Sequence, residues 1–366
     1  MNSLLKARIE HYRLKYEKFL PAFFFLAGVI FDIFTLGRID DTLNIVQQAI
    51  YLILGVGILL LNLHYGTQSS PFKQSWLNKV WKYRTEIFHF ILGSLLSAYA
   101  IFYFKSANFS SHFIFLILIL LILVLNEINF FQQLGPRFKY ALLMICLFSY
   151  FSFLIPIFFG SMSGFFFYLA MFLSAIVSYG IYRILVKRGF DQLKAIKETV
   201  IPSSAVLAMI VMLDFFHTIP PVPLSLESSG IYHRCEKVQA EYHCWFTRPK
   251  WKFWERGDQS YVKSTPTDKL YFFAAVFAPG NFNDQIFLHW RRKNQEGDFE
   301  TSDRIPIKIS GGRDEGYRIL AVKENFTEGL WQVRVENRRE RVIGELNFSV
   351  QIKESEHNPD FHLEIK

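Results

Sequence analysis

Apolar residues gather along this chain into two kinds of run with different periods. Between residues 19 and 219 there are seven long stretches, at about 19–36, 43–63, 85–104, 113–131, 138–159, 164–185 and 203–219. A hydrocarbon core of about 30 Å takes roughly 20 helical residues to cross, so these predict seven spanning helices. The seventh is barely long enough and carries Asp214 and His217. Ahead of them, Leu5, Ile9, Tyr12, Tyr16 and Phe19 recur at helical spacing, with Lys6, Arg8, Arg13, Lys15 and Lys18 on the other faces. That pattern predicts an amphipathic helix over 1–18 lying on an anionic lipid surface. The loop PFKQSWLNKVWKYR puts Phe72, Trp76, Leu77, Val80 and Trp81 on one face and predicts a second interfacial helix.

Beyond the linker IPPVPLSLESS the period shortens. KLYFFAAVFA, QIFLHWRR, RIPIKI, YRILAVKE, LWQVRVEN and VIGELNFSVQI are short runs rich in β-branched and aromatic residues, separated by PGNFND, NQEGD, GGRDEG and FTEG. In LWQVRVEN and ELNFSVQI apolar and polar residues nearly alternate, as half-buried antiparallel strands require. The expected fold is therefore a membrane α-helical bundle of seven transmembrane helices followed by an all-β, immunoglobulin-like sandwich domain. The expected divisions are 1–18 (cytoplasmic amphipathic helix), 19–221 (transmembrane domain), 222–229 (linker) and 230–366 (β-sandwich). Trp290 and Trp331 are expected in the sandwich core.

Charge gives the direction of insertion. Through Leu226 there are 18 Lys or Arg against 10 Asp or Glu, a net of +8, while the remainder holds 22 of each. With the N-terminus in the cytoplasm, the inside segments carry 16 basic residues and the outside loops only Arg38 and Lys105. The positive-inside rule then places the C-terminal domain outside the cytoplasm. No small-x-small cleavage site closes the first apolar run, so it is read as a retained anchor. A basic excess confined to the membrane half argues against nucleic acid as a partner.

The C-terminal run DRIPIKISGGRDEGYRILAVKENFTEGLWQVRVENRRERVIGELNFSV resembles the signature of bacterial envelope proteins carrying domain of unknown function 2914. The matching elements are HWRR at 289–292, GGRDEGYR at 311–318, Lys323 with Asn325, GLWQVRVE at 329–336 and IGELNFSV at 343–350. FDIFTLGRIDD followed by Asn44, Gln47 and Gln48 looks like the multi-span region that accompanies this domain in some members. The resemblance implies a bacterial inner-membrane protein with a periplasmic β domain. It implies no activity.

Several constellations can carry chemistry. An outer polar pocket is expected from Asp32, Arg38, Asp40, Asp41, Asn44, Gln47, Gln48, Asp214 and His217, with the last two on one helical face, because ionisable groups within a bilayer are costly and mark function. A satisfied structural network near the interface is the plainer alternative. An inner polar layer collects Glu86, His89, Asn126, Glu127 and Asn129. One Glu-x-x-His pair is too few for a diiron bundle, and a helix-end hydrogen-bond network explains it better. In the β domain Arg291, Arg292, Arg313 and Arg318 with Tyr317 are a candidate grip on an anionic or sugar-containing polymer, against an ordinary solvated charged face. Cys235 and Cys244 flank eight residues and are expected to pair in an oxidising compartment. A Cys2His2 site with His233 and His243 fits no common zinc spacing, so neither metal nor cofactor is expected. Cys146 is read as packing.

Nucleophile elbow, phosphate loop and HExxH motifs are absent. Three functions remain open: a binding or scaffold protein whose periplasmic β domain recognises an envelope polymer or protein partner; a transporter or channel using Asp32, Asp214 and His217; and a membrane enzyme acting on lipid-linked substrate at the outer face.

Overall fold

In this computed structural model the described residues are 30, 32–34, 36–65, 75–127, 135–247, 257–263, 267–312, 316–352 and 361–366. The surface helix expected over 1–18, most of the first crossing, Phe72, Asn129 and Arg313 lie outside them, as do the side chains of Leu77 and Glu127. The chain divides into two compact units. One holds residues 1–104, 114–154 and 167–216; the other holds 105–113, 155–166 and 217–366.

The helices are α1 (Thr42–Tyr65), α2 (Ser75–Lys82), α3 (Arg84–Ser106), α4 (Phe109–Glu127), α5 (Pro136–Phe159), α6 (Gly164–Lys187) and α7 (Gln192–Phe215). All but the short α2 are long and apolar enough to cross a membrane. The most apolar windows of α3 and α5 are 67% and 61% buried, against 22–39% for the other four, so α3 and α5 form the interior. Their interior polar groups meet each other: Tyr103 Oη donates to Ser149 Oγ at 3.3 Å. On α4, Ile114, Ile117, Leu121 and Val124 stand exposed at helical spacing, an apolar stripe that water would penalise.

The last helix differs from expectation. It begins at Gln192 and ends at Phe215, eleven residues earlier than the stretch 203–219 at its start, and stops short of His217 at its end. Lys194, Lys197 and Glu198 make the first turns read as loop. The structure continues the helix through them with a π-helical turn, Ile196–Val200. Such a turn strands backbone carbonyls, and hydroxyls answer: Ser203 Oγ donates to Thr199 O at 2.7 Å and Thr199 Oγ1 to Ala195 O at 2.8 Å. His217 follows the helix with φ +58, so it does not share a helical face with Asp214.

The second unit is all-β. Its strands are β1 (Ser225–Tyr232), β2 (Arg234–Val238), β3 (Glu241–Thr247), β4 (Ser260–Lys263), β5 (Leu270–Phe277), β6 (Asn283–Lys293), β7 (Phe299–Ser310), β8 (Tyr317–Lys323), β9 (Gly329–Glu336), β10 (Val342–Ile352) and β11 (Phe361–Ile365). β1 starts inside the stretch expected as linker. Among the described residues there are three sheets where a two-sheet sandwich was expected: β1-β5-β8, β4-β10-β9-β6-β7 and β11-β3-β2. All pairings are antiparallel except β4 with β10. One core joins Phe272, Ala274, Val276 and Ile319 of the first sheet to Leu288, Trp290, Trp331, Val333 and Phe348 of the second. A smaller core joins Phe273 and Ala275, on the other face of β5, to Cys235, Cys244 and Phe246 of the third. The three-stranded β1-β5-β8 sheet is thus the middle layer, which explains why LYFFAAVF is apolar at successive positions instead of alternating.

Candidate functional site

Alternation along β6, β9 and β10 sends one set of side chains into the core and the other to the outer face of the five-stranded sheet. The outward set is polar apart from Phe287 and Leu330, and its polar members fall into register across four strands. One rung runs Asn347–Gln332–Arg291–Thr301; the next runs Glu345–Arg334–His289–Arg304.

Within the first rung Gln332 Nε2 donates to Asn347 Oδ1 at 2.9 Å, and Arg291 Nη1 donates to Gln332 Oε1 at 3.0 Å. Arg291 Nη2 continues to the carbonyl of Phe299 at 2.9 Å, and the guanidinium lies over the Phe299 ring. In the second, Arg334 Nε donates to Glu345 Oε2 at 3.2 Å. The His289 ring bridges Glu336 Oε1 (3.1 Å) and Thr301 Oγ1 (2.7 Å). Arg304 sits over the Phe287 ring, 3.9 Å from Glu336 and 3.4 Å from Glu340. Burial, with the Arg334 charge beside it, pulls the Arg291 guanidinium below its ordinary pKa, but an arginine starts so high that it stays charged.

The arginine cluster expected from sequence does not assemble. Arg291 is on the outer face of the five-stranded sheet. Tyr317 packs on the main core, so its neighbour Arg318 points to the opposite face of β8, where Nη1 donates to Ala240 O of the β2–β3 turn at 2.6 Å. The two arginines lie on opposite sides of the layered unit. Arg292, one residue from Arg291, reaches Glu328 O at 3.1 Å. Strand alternation separates what sequence proximity suggested.

The cysteines do pair. Cys235 and Cys244 are directly opposite on the β2–β3 hairpin and form a disulfide. The histidines beside them engage carboxylates. His243 Nε2 is 3.8 Å from Glu241. His233 places Nδ1 2.7 Å from Asp258 Oδ2 and Nε2 3.1 Å from Val262 O, with its ring stacked on Tyr261. Both partners are acceptors, so both ring nitrogens must carry protons. Burial disfavours that charge, yet the Asp258 carboxylate outweighs it and holds the His233 pKa above its ordinary value. Asp258 also accepts Thr247 N and Oγ1, at 2.7 and 2.9 Å, tying β3 to the approach to β4. Among the described residues no group of three or more His, Cys, Asp or Glu is placed to hold a metal.

In the helical unit Ser97 Oγ of α3 donates to Asp32 Oδ2 at 2.7 Å. Arg38 pairs with Asp40 at 3.0 Å, and Asn44 Nδ2 reaches Arg38 O at 3.4 Å, closing the turn before α1. Gln48 is buried, whereas Gln47 is exposed and donates to Tyr51 Oη at 3.2 Å. Asp214 is buried near the end of α7. At the opposite helix ends Glu86 is exposed, Asn126 is buried, and both His89 ring nitrogens are buried without a hydrogen-bond partner. Sequence reasoning missed Glu198, buried in the π-turn, whose Oε1 accepts Arg137 Nε of α5 at 3.3 Å while Oε2 has no partner. The one acid in AIKETVIP, two residues from Ile196 on one side and Val200 on the other, was the available signal. It also missed Gln332, Arg334, Glu345 and Asn347, which the polar phase of β9 and β10 marks.

The fold and the site describe an all-β unit with an ordered polar face, attached in sequence to a set of apolar helices. Residues 283–350 match the family described as "Protein of unknown function (DUF2914)", so the C-terminal half contains such a domain. Both rungs lie inside the matched segment. No curated protein compared with the chain matches it. Among solved structures, "Pseudomonas fluorescens alkylpurine DNA glycosylase AlkC bound to DNA containing an abasic site analog" aligns at 8% identity over 86% of this chain and 99% of that one. Its TM-score of 0.21 is too low to bear on fold or function.

Proposed function

We propose that this chain is an integral protein of a bacterial inner membrane that crosses the bilayer seven times from a cytoplasmic N-terminus. In this reading its β unit stands in the periplasm and binds an envelope polymer or a protein partner, and the helices anchor and position it. The observation that carries it is the pair of in-register polar rungs, held rigid within the segment that matches the family. The apolar lengths of the six described helices, the exposed aliphatic stripe of α4 and the sixteen-to-two distribution of basic residues support the membrane placement.

Alkaline phosphatase fused after Lys366 tests the orientation, because the enzyme matures only outside the cytoplasm. Activity in that fusion, with a dark fluorescent-protein fusion at the same site, is the expected result. The reverse pattern would place the β unit in the cytoplasm and remove the envelope as its partner.

A further inference from the structure

The outer face of the five-stranded sheet shows which ligand chemistry it accepts through the polarity of its hydrogen bonds. An arginine can only donate. Because Arg291 Nη1 meets the Gln332 side chain at 3.0 Å, that contact must be the amide oxygen. Gln332 Nε2 then faces Asn347 and must donate to its Oδ1, as it does at 2.9 Å. The Asn347 nitrogen is consequently turned away from the rung. One arginine thus fixes the orientation of two amides.

The same bookkeeping in the second rung consumes acceptors. Glu345 Oε2 accepts from Arg334 and Glu336 Oε1 from His289, while Arg304 faces Glu336 Oε2 at 3.9 Å as an ion pair. What remains for a ligand is the Asn347 Nδ2 group, the Nη groups of Arg334 and the remaining Nη hydrogens of Arg291, beside the second oxygen of Glu345. The face is also stiff. Gln332 and Glu336 are each only 4% exposed although both lie on the outward side of the sheet, and two of the guanidinium groups rest on phenylalanine rings. Side chains already fixed lose little entropy on binding. Across four strands each rung spans about 14 Å, a length suited to an extended chain lying across the strands.

We propose that this face binds a carboxylate-bearing polysaccharide, with Arg334 taking a carboxylate through the N–H pair of its two Nη groups, Arg291 adding a single N–H and Asn347 donating to sugar oxygens. A planar carboxylate matches the guanidinium fork, and the Arg334–Glu345 pair shows that carboxylates are accepted on this face. The inference deepens the binding role proposed above and rests on it.

The test uses the full chain in detergent micelles and three soluble probes: alginate as a polyuronate, dextran as a neutral glycan, and inorganic polyphosphate. Saturable alginate binding is expected, with dextran inert and polyphosphate at least tenfold weaker. Arg291→Gln and Arg334→Gln should each weaken alginate by about tenfold or more, since a hydrogen bond to a charged group contributes that much. Asn347→Asp, which keeps the oxygen that accepts Gln332 Nε2 and removes the outward amide donor, should weaken it by a few-fold or more with the melting temperature unchanged, which separates recognition from folding. Absence of alginate binding, equal binding of polyphosphate, or indifference to all three substitutions would overturn the proposal. A parallel arm retains solubilised envelope glycan on the immobilised protein. Retention abolished by Arg291→Gln while alginate fails would leave the binding role standing and discard only the polyuronate.

Discussion

Arg291 on β6 donates through Nη1 to Gln332 Oε1 on β9 at 3.0 Å, and that bond orients every amide along its rung. Replacing Gln332 by Leu would leave the half-buried guanidinium without its acceptor and the Asn347 oxygen without its donor. Unsatisfied buried groups cost about 1–3 kcal/mol, so the β unit should lose stability of that order. Chemical denaturation followed by tryptophan fluorescence, compared with Asn347→Asp, which keeps the oxygen that Gln332 Nε2 donates to, measures it.

His233 makes stability depend on pH in a definite direction. Its folded pKa is raised above the ordinary 6.5, so the folded state binds the proton more tightly than the unfolded one. The contribution is fully present below that ordinary value and is lost as pH rises through the folded pKa. Exchange protection at the Thr247 amide, which donates to Asp258, should therefore fall from slightly acid to alkaline pH. In Asp258→Asn the His233 ring should titrate at lower pH. A wild-type ring titrating below 6.5 by NMR would contradict the geometry.

The Cys235–Cys244 bond closes a short loop on a hairpin that covers one face of the middle sheet. Loop-closure entropy for a separation of 9 residues amounts to about 2–3 kcal/mol. Reduction, or the Cys235→Ser and Cys244→Ser pair, should lower the midpoint of β-unit unfolding by a corresponding amount. Cys146, buried among α-helical neighbours, should stay unlabelled by a polar maleimide in the folded protein.

Phe272 and Phe273 are adjacent, and a strand with one buried face would tolerate losing one of them. Here Phe272 belongs to the larger core and Phe273 to the smaller. Each is 1% exposed. Phe272→Ala and Phe273→Ala should both cost about 3–5 kcal/mol, read by thermal or denaturant unfolding of each variant with the Cys235–Cys244 disulfide intact. A near-neutral Phe273→Ala would mean that the third sheet does not cover β5.

Arg137→Ala leaves the Glu198 carboxylate buried in the π-turn without its cation, whereas Glu198→Gln removes the charge itself. The first should therefore destabilise the helical unit more than the second, by about 1–3 kcal/mol, in melting curves recorded in detergent.

The sequence by itself determined the two kinds of segment in this chain. Helical-length apolar runs before residue 219 and short strand runs after it are local properties, because hydropathy and period need no knowledge of neighbours. The disulfide partners were legible for the same reason, being the ends of one hairpin. Local pattern also sufficed for Trp290 and Trp331 in the core. Tertiary structure alone decided which residues meet. Arg291 and Arg318 looked like one cluster until alternation and layering put them on opposite sides. Asp214 and His217 looked like one helical face until the helix ended at Phe215. The third sheet, the burial of Glu198 by a π-turn and the two rungs on the outer face all depend on register between segments distant in sequence. Register is set by the sum of packing contacts across strands, and no single stretch of the chain contains it.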